Sequence, residues 1–224
     1  VGGKVVHREP ARTIHLLPNR TGGGVQDRIP LPPADEYFMD LTVRYDERYD
    51  WDTRDGTQSG KFPGLAGGEK SGGGNCTTAQ PNSWSARNGF QHAGRMTTYL
   101  YFQDRDGNCG IKYQWKNPDG SNFHFVRDRT YRVTQYIKVN TPGVANGIDQ
   151  VWVDGVQVYS KNDIEWRGNV SPSEARVDQL MYHVFFGGEN INDTPTYDSY
   201  VHFGEIFVMS CRPDFSRPAG TCAN

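Results

Sequence analysis

The segment "EYFMDLTVRY", Glu36 to Tyr45, alternates with period two: Tyr37, Met39, Leu41, Val43 and Tyr45 fall on one face. Successive side chains of a strand point to opposite sides, so this pattern predicts a β-strand with one side in a core. Downstream, "TYRVTQYIKV" places Tyr131, Val133, Ile137 and Val139 on one face. "QVWVDGVQVYS" sets Asp154-Gly155 between two alternating arms, which is tight-hairpin chemistry. "NSWSARNGF", "GRMTTYLYFQ", "CGIKYQW", "NFHFV", "DIEWR", "QLMYHVFFGG" and "SYVHFGEIFVMS" predict further strands, about ten in all. One stretch, "SPSEARVDQL", reads as helical, with Ser171 or Ser173 as cap and Glu174 in the first turn. The expectation is an all-β fold: a β-jelly roll sandwich of two antiparallel sheets, with at most one or two short helices.

Composition agrees, with 12 Tyr, 11 Phe and 26 Gly in 224 residues. This length suits a single domain over residues 1–224, without repeat or linker. Residues 1–35, with "TGGG" and "PLPP", read as an extended arm holding one strand, "RTIHLL". The net charge of −2 supplies no basic field for nucleic acid, and no apolar run reaches membrane-spanning length. Cys76, Cys109, Cys211 and Cys222 contain no Cys-x-x-Cys pair, which argues against a zinc or thioredoxin-type motif. Of the three connectivities, Cys76–Cys109 with Cys211–Cys222 joins sequence neighbours and is the expected one. Disulfides imply an oxidising compartment, and sequons at Asn19, Asn75 and Asn192 fit secretion; Pro172 weakens the one at Asn169. A secreted monomer is expected.

Ser85 and Arg87 share a strand face, as do Tyr99 and Tyr101. "GKFPGLAGG" places Lys61 among apolar residues and glycines. Taken singly, each is ordinary: a Tyr-x-Tyr pair packs a sheet, and a lysine is solvated. Together, an ammonium, a guanidinium, a hydroxyl and two phenols suit β-elimination in a uronic-acid polymer. Cations neutralise the sugar carboxylate, a base removes the C5 proton, and an acid protonates the departing O4. Such chemistry requires no cofactor. Two rivals use other features. A carbohydrate-binding module or lectin on the same sandwich needs only aromatic faces, and a glycoside hydrolase wants two carboxylates flanking the bond.

The chain resembles the jelly-roll polysaccharide lyases of families 14 and 20, the alginate lyases and glucuronan lyases. The resemblance is carried by "GKFPGL", "SAR", "YLY", "NTPGVANGIDQVWVDGVQV", "FFGG" and "DSYVHF", from about residue 37 to about residue 210. It implies catalytic function at Lys61, at Ser85 and Arg87, and at Tyr99 and Tyr101, on glucuronan or alginate. Arg87 would take the carboxylate, with Ser85 orienting it or the sugar. One tyrosine would serve as acid, or as both acid and base, and Lys61 would either neutralise charge and lower a tyrosine pKa or act as base itself. Gln91, His92, His183, Tyr197 and Tyr200 are candidate substrate contacts. His183 and His202 also invite comparison with jelly-roll lyases that use a histidine base, against the plainer reading of structural histidines. "DRDGNCG" at 104–110 lacks the later ligands of a calcium loop and reads as a turn; a structural calcium site elsewhere stays open.

Overall fold

A computed structural model describes residues 3–20, 22–51, 59–69, 80–105, 109–187, 192 and 194–223. The strands in chain order are β1 (Val5–Glu9), β2 (Arg12–Leu16), β3 (Gly24–Ala34), β4 (Glu36–Tyr45), β5 (Ser59–Gly67), β6 (Trp84–Gln91), β7 (Met96–Tyr101), β8 (Ile111–Gln114), β9 (Thr130–Lys138), β10 (Gly147–Val153), β11 (Val156–Ile164), β12 (Val177–Gly187) and β13 (Ser199–Met209). They form a jelly-roll sandwich of two antiparallel sheets. One sheet runs β1-β13-β4-β9-β10-β11, with β2 also on β13; the other runs β3-β12-β5-β6-β7-β8. Among the described residues a 3-10 turn forms at His92–Gly94.

The alternating faces read from β4 and β9 are the core faces: Met39, Leu41, Val43, Val133 and Ile137 are at most 1% exposed. They meet Phe62, Leu65, Ala86, Phe90, Leu100, Leu180 and Tyr182 of the second sheet in one cluster. Phe203 packs on Phe62 and Tyr182, with ring centroids 5.5 and 5.6 Å away. Such burial is the main favourable term holding two sheets face to face.

Four expectations are corrected. Residues 1–35 hold three strands where one was expected: β1 and β2 pair with β13, and β3 forms an edge of the second sheet. The helix at "SPSEARVDQL" does not form. Its cap contact does, Ser171 N–H donating to Glu174 Oε1 at 3.1 Å. The backbone then turns left-handed at Ala175 (φ 47°), whose carbonyl accepts from Trp84 Nε1 at 2.8 Å, and the chain enters β12. "NFHFV" contributes isolated bridges, Lys116 with Asn122 and Arg95 with His124, in place of a strand. "DIEWR" supplies only the end of β11, because Trp166 leaves the sheet to pack on Trp84 at 4.8 Å.

The tail beyond β13 is tied down twice. The Cys211–Cys222 disulfide closes it, and Arg132 donates to the carbonyls of Asp214 and Arg217 while gripping the fully buried Asp40 at 2.7 and 2.9 Å. The pairing of Cys76 with Cys109 and the sequon at Asn75 lie outside the described residues.

A polar chain crosses the core. Gln135 donates to Asp149 Oδ1 at 3.1 Å and to the Ala86 carbonyl at 3.2 Å; Asn88 donates to the Pro63 carbonyl at 3.0 Å, and Thr98 donates to Asn88. Burial pushes the Asp149 carboxyl up to about 8, with the Gln135 hydrogen bond opposing. A carboxyl raised above its unfolded value favours the folded state fully below about pH 4, and this contribution is lost as pH climbs to the folded value. Asp149→Asn removes that linkage. The variant's thermal midpoint is expected to vary less than the parent's between about pH 5 and about pH 8, and to gain on it at the alkaline end. Parallel pH profiles would show that Asp149 is not protonated in the fold.

Candidate active site

β5, β6 and β7 are neighbours, and their register decides which side chains meet. Arg87 lies opposite Tyr99, and Ser85 opposite Tyr101. On the other side, Arg87 pairs with Gly64, and Lys61 pairs with Gly89 and, on β12, with Phe185. Directly paired residues share a face, so Lys61, Ser85, Arg87, Tyr99 and Tyr101 all project from the second sheet away from the core. All five candidate catalytic residues therefore converge on one surface.

"GKFPGL" makes this possible. Phe62 and Leu65 are both fully buried in the core although three residues apart, which strict alternation forbids. The register shifts between Phe62 and Gly64, a β-bulge at Pro63. Proline lacks the ladder N–H and is tolerated at such a bulge, and the extra residue lets Lys61 and Gly64 face the same side. Gly64 must be glycine: a Cβ there would lie 2.1 Å from the Ala86 carbonyl oxygen. Gly110 fills the analogous role behind the phenols, where a Cβ would lie 2.7 and 2.8 Å from the Tyr101 and Tyr99 rings.

Within the cluster the Tyr99 and Tyr101 hydroxyls are hydrogen-bonded at 3.0 Å, their rings edge to face. Lys61 Nζ sits 4.5 Å from the Tyr99 ring centroid. The Arg87 guanidinium lies 5.5 and 5.7 Å from the Tyr99 and Tyr101 rings, and Arg105 lies 5.1 Å from Tyr101. Ser85 Oγ and Arg87 Nε and Nη2 are buried with no hydrogen-bond partner. Buried polar groups are ordinarily satisfied, so these open donors mark the cluster as a candidate binding surface.

Burial first, then the charges of Arg87 and Lys112, lower the Lys61 ammonium to about 7. Tyr99 is pushed up to about 12 by burial and by its bond to Tyr101, against the opposing pull of Arg87. His183, also on this face, is lowered to about 3 by burial and by Arg87, Arg28 and Lys61. It is 5% exposed, and neither ring nitrogen has a partner.

The other candidates divide. Gln91 ends β6 on the Ser85–Arg87 face and accepts a hydrogen bond from Gln114 at 2.6 Å. His92 is exposed in the turn beyond it. Tyr197 lies in the segment entering β13, with Arg48 5.9 Å from its ring. Tyr200 and His202 belong elsewhere. They alternate with the core residues Val201 and Phe203 on β13 and so face outward from the opposite sheet, where Tyr200 stacks on His15 at 4.5 Å. Arg28 on β3 and Lys112 on β8, both exposed on the Lys61 side, escaped sequence reading. Their alternation with Ile29 and Ile111 was the available signal. Among the described residues no cluster of three or more His, Cys, Asp or Glu is placed to hold a metal ion.

Comparison with known structures gives the same picture. The alginate lyase Aly36B, as a substituted form in complex with an alginate trisaccharide, superposes with a TM-score of 0.74 at 25% identity, over 88% of this chain and 80% of that one. Alginate lyase vAL-1 from Chlorella virus gives 0.70 at 18% identity, covering 92% and 90%. The endo-β-1,4-glucuronan lyase of the fungus Trichoderma reesei gives 0.57 at 13%, covering 95% and 84%. At their identities the latter two show likeness of fold alone. A comparison with curated proteins gives no match. The family model Polysaccharide lyase 14 matches residues 25–206, from β3 through most of β13, and by that match the chain belongs to polysaccharide lyase family 14.

Proposed function

We propose that this polysaccharide lyase cleaves a β-1,4-linked polyuronate, glucuronan or alginate, by β-elimination, and that Lys61, Ser85, Arg87, Tyr99 and Tyr101 carry the reaction. The observation behind this reading is the meeting, on one face, of a buried guanidinium whose Nε and Nη2 are unpartnered, a lysine lowered to about 7 and two hydrogen-bonded phenols. The name of the structural relative at 25% identity, an alginate lyase in complex with an alginate trisaccharide, supports the substrate class.

The carboxylate of the reacting sugar is taken by the free Nε and Nη2 of Arg87, a bidentate geometry that suits guanidinium, with Ser85 Oγ as a further donor. Neutralising this carboxylate acidifies the C5 proton. Lys61, lowered to about 7, is in good part free amine near neutral pH and removes that proton. The C5–H electron pair becomes the C4–C5 double bond as the C4–O4 bond breaks. The departing O4 takes a proton from the tyrosine pair, which burial keeps protonated at Tyr99. The Lys61 ammonium, beside the Tyr99 ring, then restores the tyrosine proton and completes the cycle without water. Stabilising the negative charge that grows on the carboxylate is the largest contribution, and Arg87 provides it.

The scheme uses no cofactor, and we place the enzyme outside the cell, as a monomer, in keeping with its disulfide.

Incubation with glucuronan, polymannuronate and polyguluronate is expected to raise near-ultraviolet absorbance on at least one polymer, from the new conjugated double bond. New reducing ends without that rise would mean hydrolysis and overturn the proposal. Lys61→Ala and Tyr101→Phe are each expected to lose at least about a hundredfold in kcat with the fold intact. Lys61→Arg keeps the charge but cannot serve as base; retained turnover in it would restrict Lys61 to charge neutralisation. The rate kcat/KM should climb about tenfold per pH unit below about pH 7 and level above it, as the Lys61 amine is freed. Treatment with EDTA should leave turnover unchanged, and a loss restored by calcium would show a required ion.

A further inference from the structure

His183 is the most conspicuous buried group that this scheme leaves idle. It is 5% exposed, carries a donor and an acceptor on one ring, and satisfies neither within the protein. It lies on β12, on the same side of the sheet as Lys61 and Arg87. Beside it, on edge strand β3, Arg28 pairs in register with Met181, two residues before His183 and on the same face. Arg28 is exposed and is one of the charges acting on the His183 ring.

We propose that Arg28 and His183 form a second carboxylate-binding subsite, which holds a uronate two to three sugars along the same polymer while Arg87 holds the reacting one. This rests on the β-elimination reading and extends it to how the glycan lies on the protein. In the order β3-β12-β5-β6, β12 is two strands from Arg87 and β3 is three. Strands are spaced about 4.8 Å apart, close to the advance of one sugar in an extended 1,4-linked chain. A polyuronate lying across the strands therefore repeats its sugars in step with the sheet: the one next to the Arg87 sugar passes over β5, and the second and third pass over β12 and β3. Arg28 supplies the charge. Because burial, and then Arg87, Arg28 and Lys61, keep His183 neutral, its ring both donates and accepts, matching a carboxylate oxygen and an adjacent hydroxyl. The same neutrality, at about 3, makes His183 a poor base, so its part is binding and not proton abstraction.

Steady-state kinetics on the preferred polyuronate test the subsite with Arg28→Ala, His183→Gln and His183→Ala. Arg28→Ala is expected to raise KM roughly tenfold, the loss of one charge-assisted hydrogen bond, with a smaller fall in kcat. It should also weaken the dependence of KM on salt. His183→Gln, which retains a donor and an acceptor, should bind more tightly than His183→Ala, with thermal midpoints confirming that both fold. An unchanged KM and salt dependence in Arg28→Ala, or equal KM values for the two His183 variants, would overturn the subsite. If the parent protein forms no unsaturated product from any polyuronate, the reaction reading fails. Calorimetric titration of the same polymers into the parent and Arg28→Ala then decides the subsite: weaker binding in the variant upholds it and equal binding removes it.

Discussion

The register between β5, β6 and β7 sets the candidate site, because period-two alternation ties its face to the core face. On β6, Ala86, Asn88 and Phe90 point inward and Ser85 and Arg87 outward. On β7, Leu100 points inward and Tyr99 and Tyr101 outward. A slip of one residue would drive Arg87 into the hydrophobic interior, so burial of the inner face enforces the position of the outer one. The Pro63 bulge is the single departure from alternation in this region. It brings both Phe62 and Leu65 to the core while keeping Lys61 and Gly64 on the opposite side. Asn88 secures the bulge by donating to the Pro63 carbonyl, so the polar chain within the core supports the geometry on the working face.

The face so built is electrostatically unfavourable by itself. Lys61, Arg87, Arg28 and Lys112 act on one another or on His183, and the lowered values of Lys61 and His183 record that mutual repulsion together with burial. Arg87 and Ser85 are desolvated without internal partners. Folding tolerates this because the aromatic core offsets it; Trp84, Trp166, Tyr45, Phe90 and Phe186 are nearly or wholly buried. In the proposed reaction a polyanion would supply what the protein withholds. Its carboxylates would satisfy the open donors and relieve the repulsion among the cations, most of all where charge grows during elimination.

Much of this was legible before any coordinates. β4, β9 and the β10–β11 hairpin were plain from alternation and from Asp154-Gly155, because these strands have one dry face and one wet face. Ser85 with Arg87, and Tyr99 with Tyr101, were legible as pairs because residues two apart on a strand must share a side. The failures have equally physical causes. β3 was hidden by its prolines and glycines, which an edge strand accepts and a central strand does not. The false helix at residues 171–180 carried a genuine capping contact, which the left-handed turn at Ala175 overrode. Tyr200 and His202 looked suitable by residue type, yet alternation about Val201 and Phe203 sends them to the far side of the sandwich.

Local chemistry therefore dictates, from the chain alone, which residues form strands, which face of each is apolar and which polar side chains travel together. It does not dictate which strands become neighbours. That choice belongs to long-range packing, in which β12, distant in the chain, inserts between β3 and β5 and brings His183 beside Arg87 and Lys61. Side-chain alternation is written into every short segment, whereas strand order is settled only when the whole apolar surface is buried at once. The lowered ammonium of Lys61 follows from the second of these, since it needs both the burial and the neighbouring cations that assembly provides.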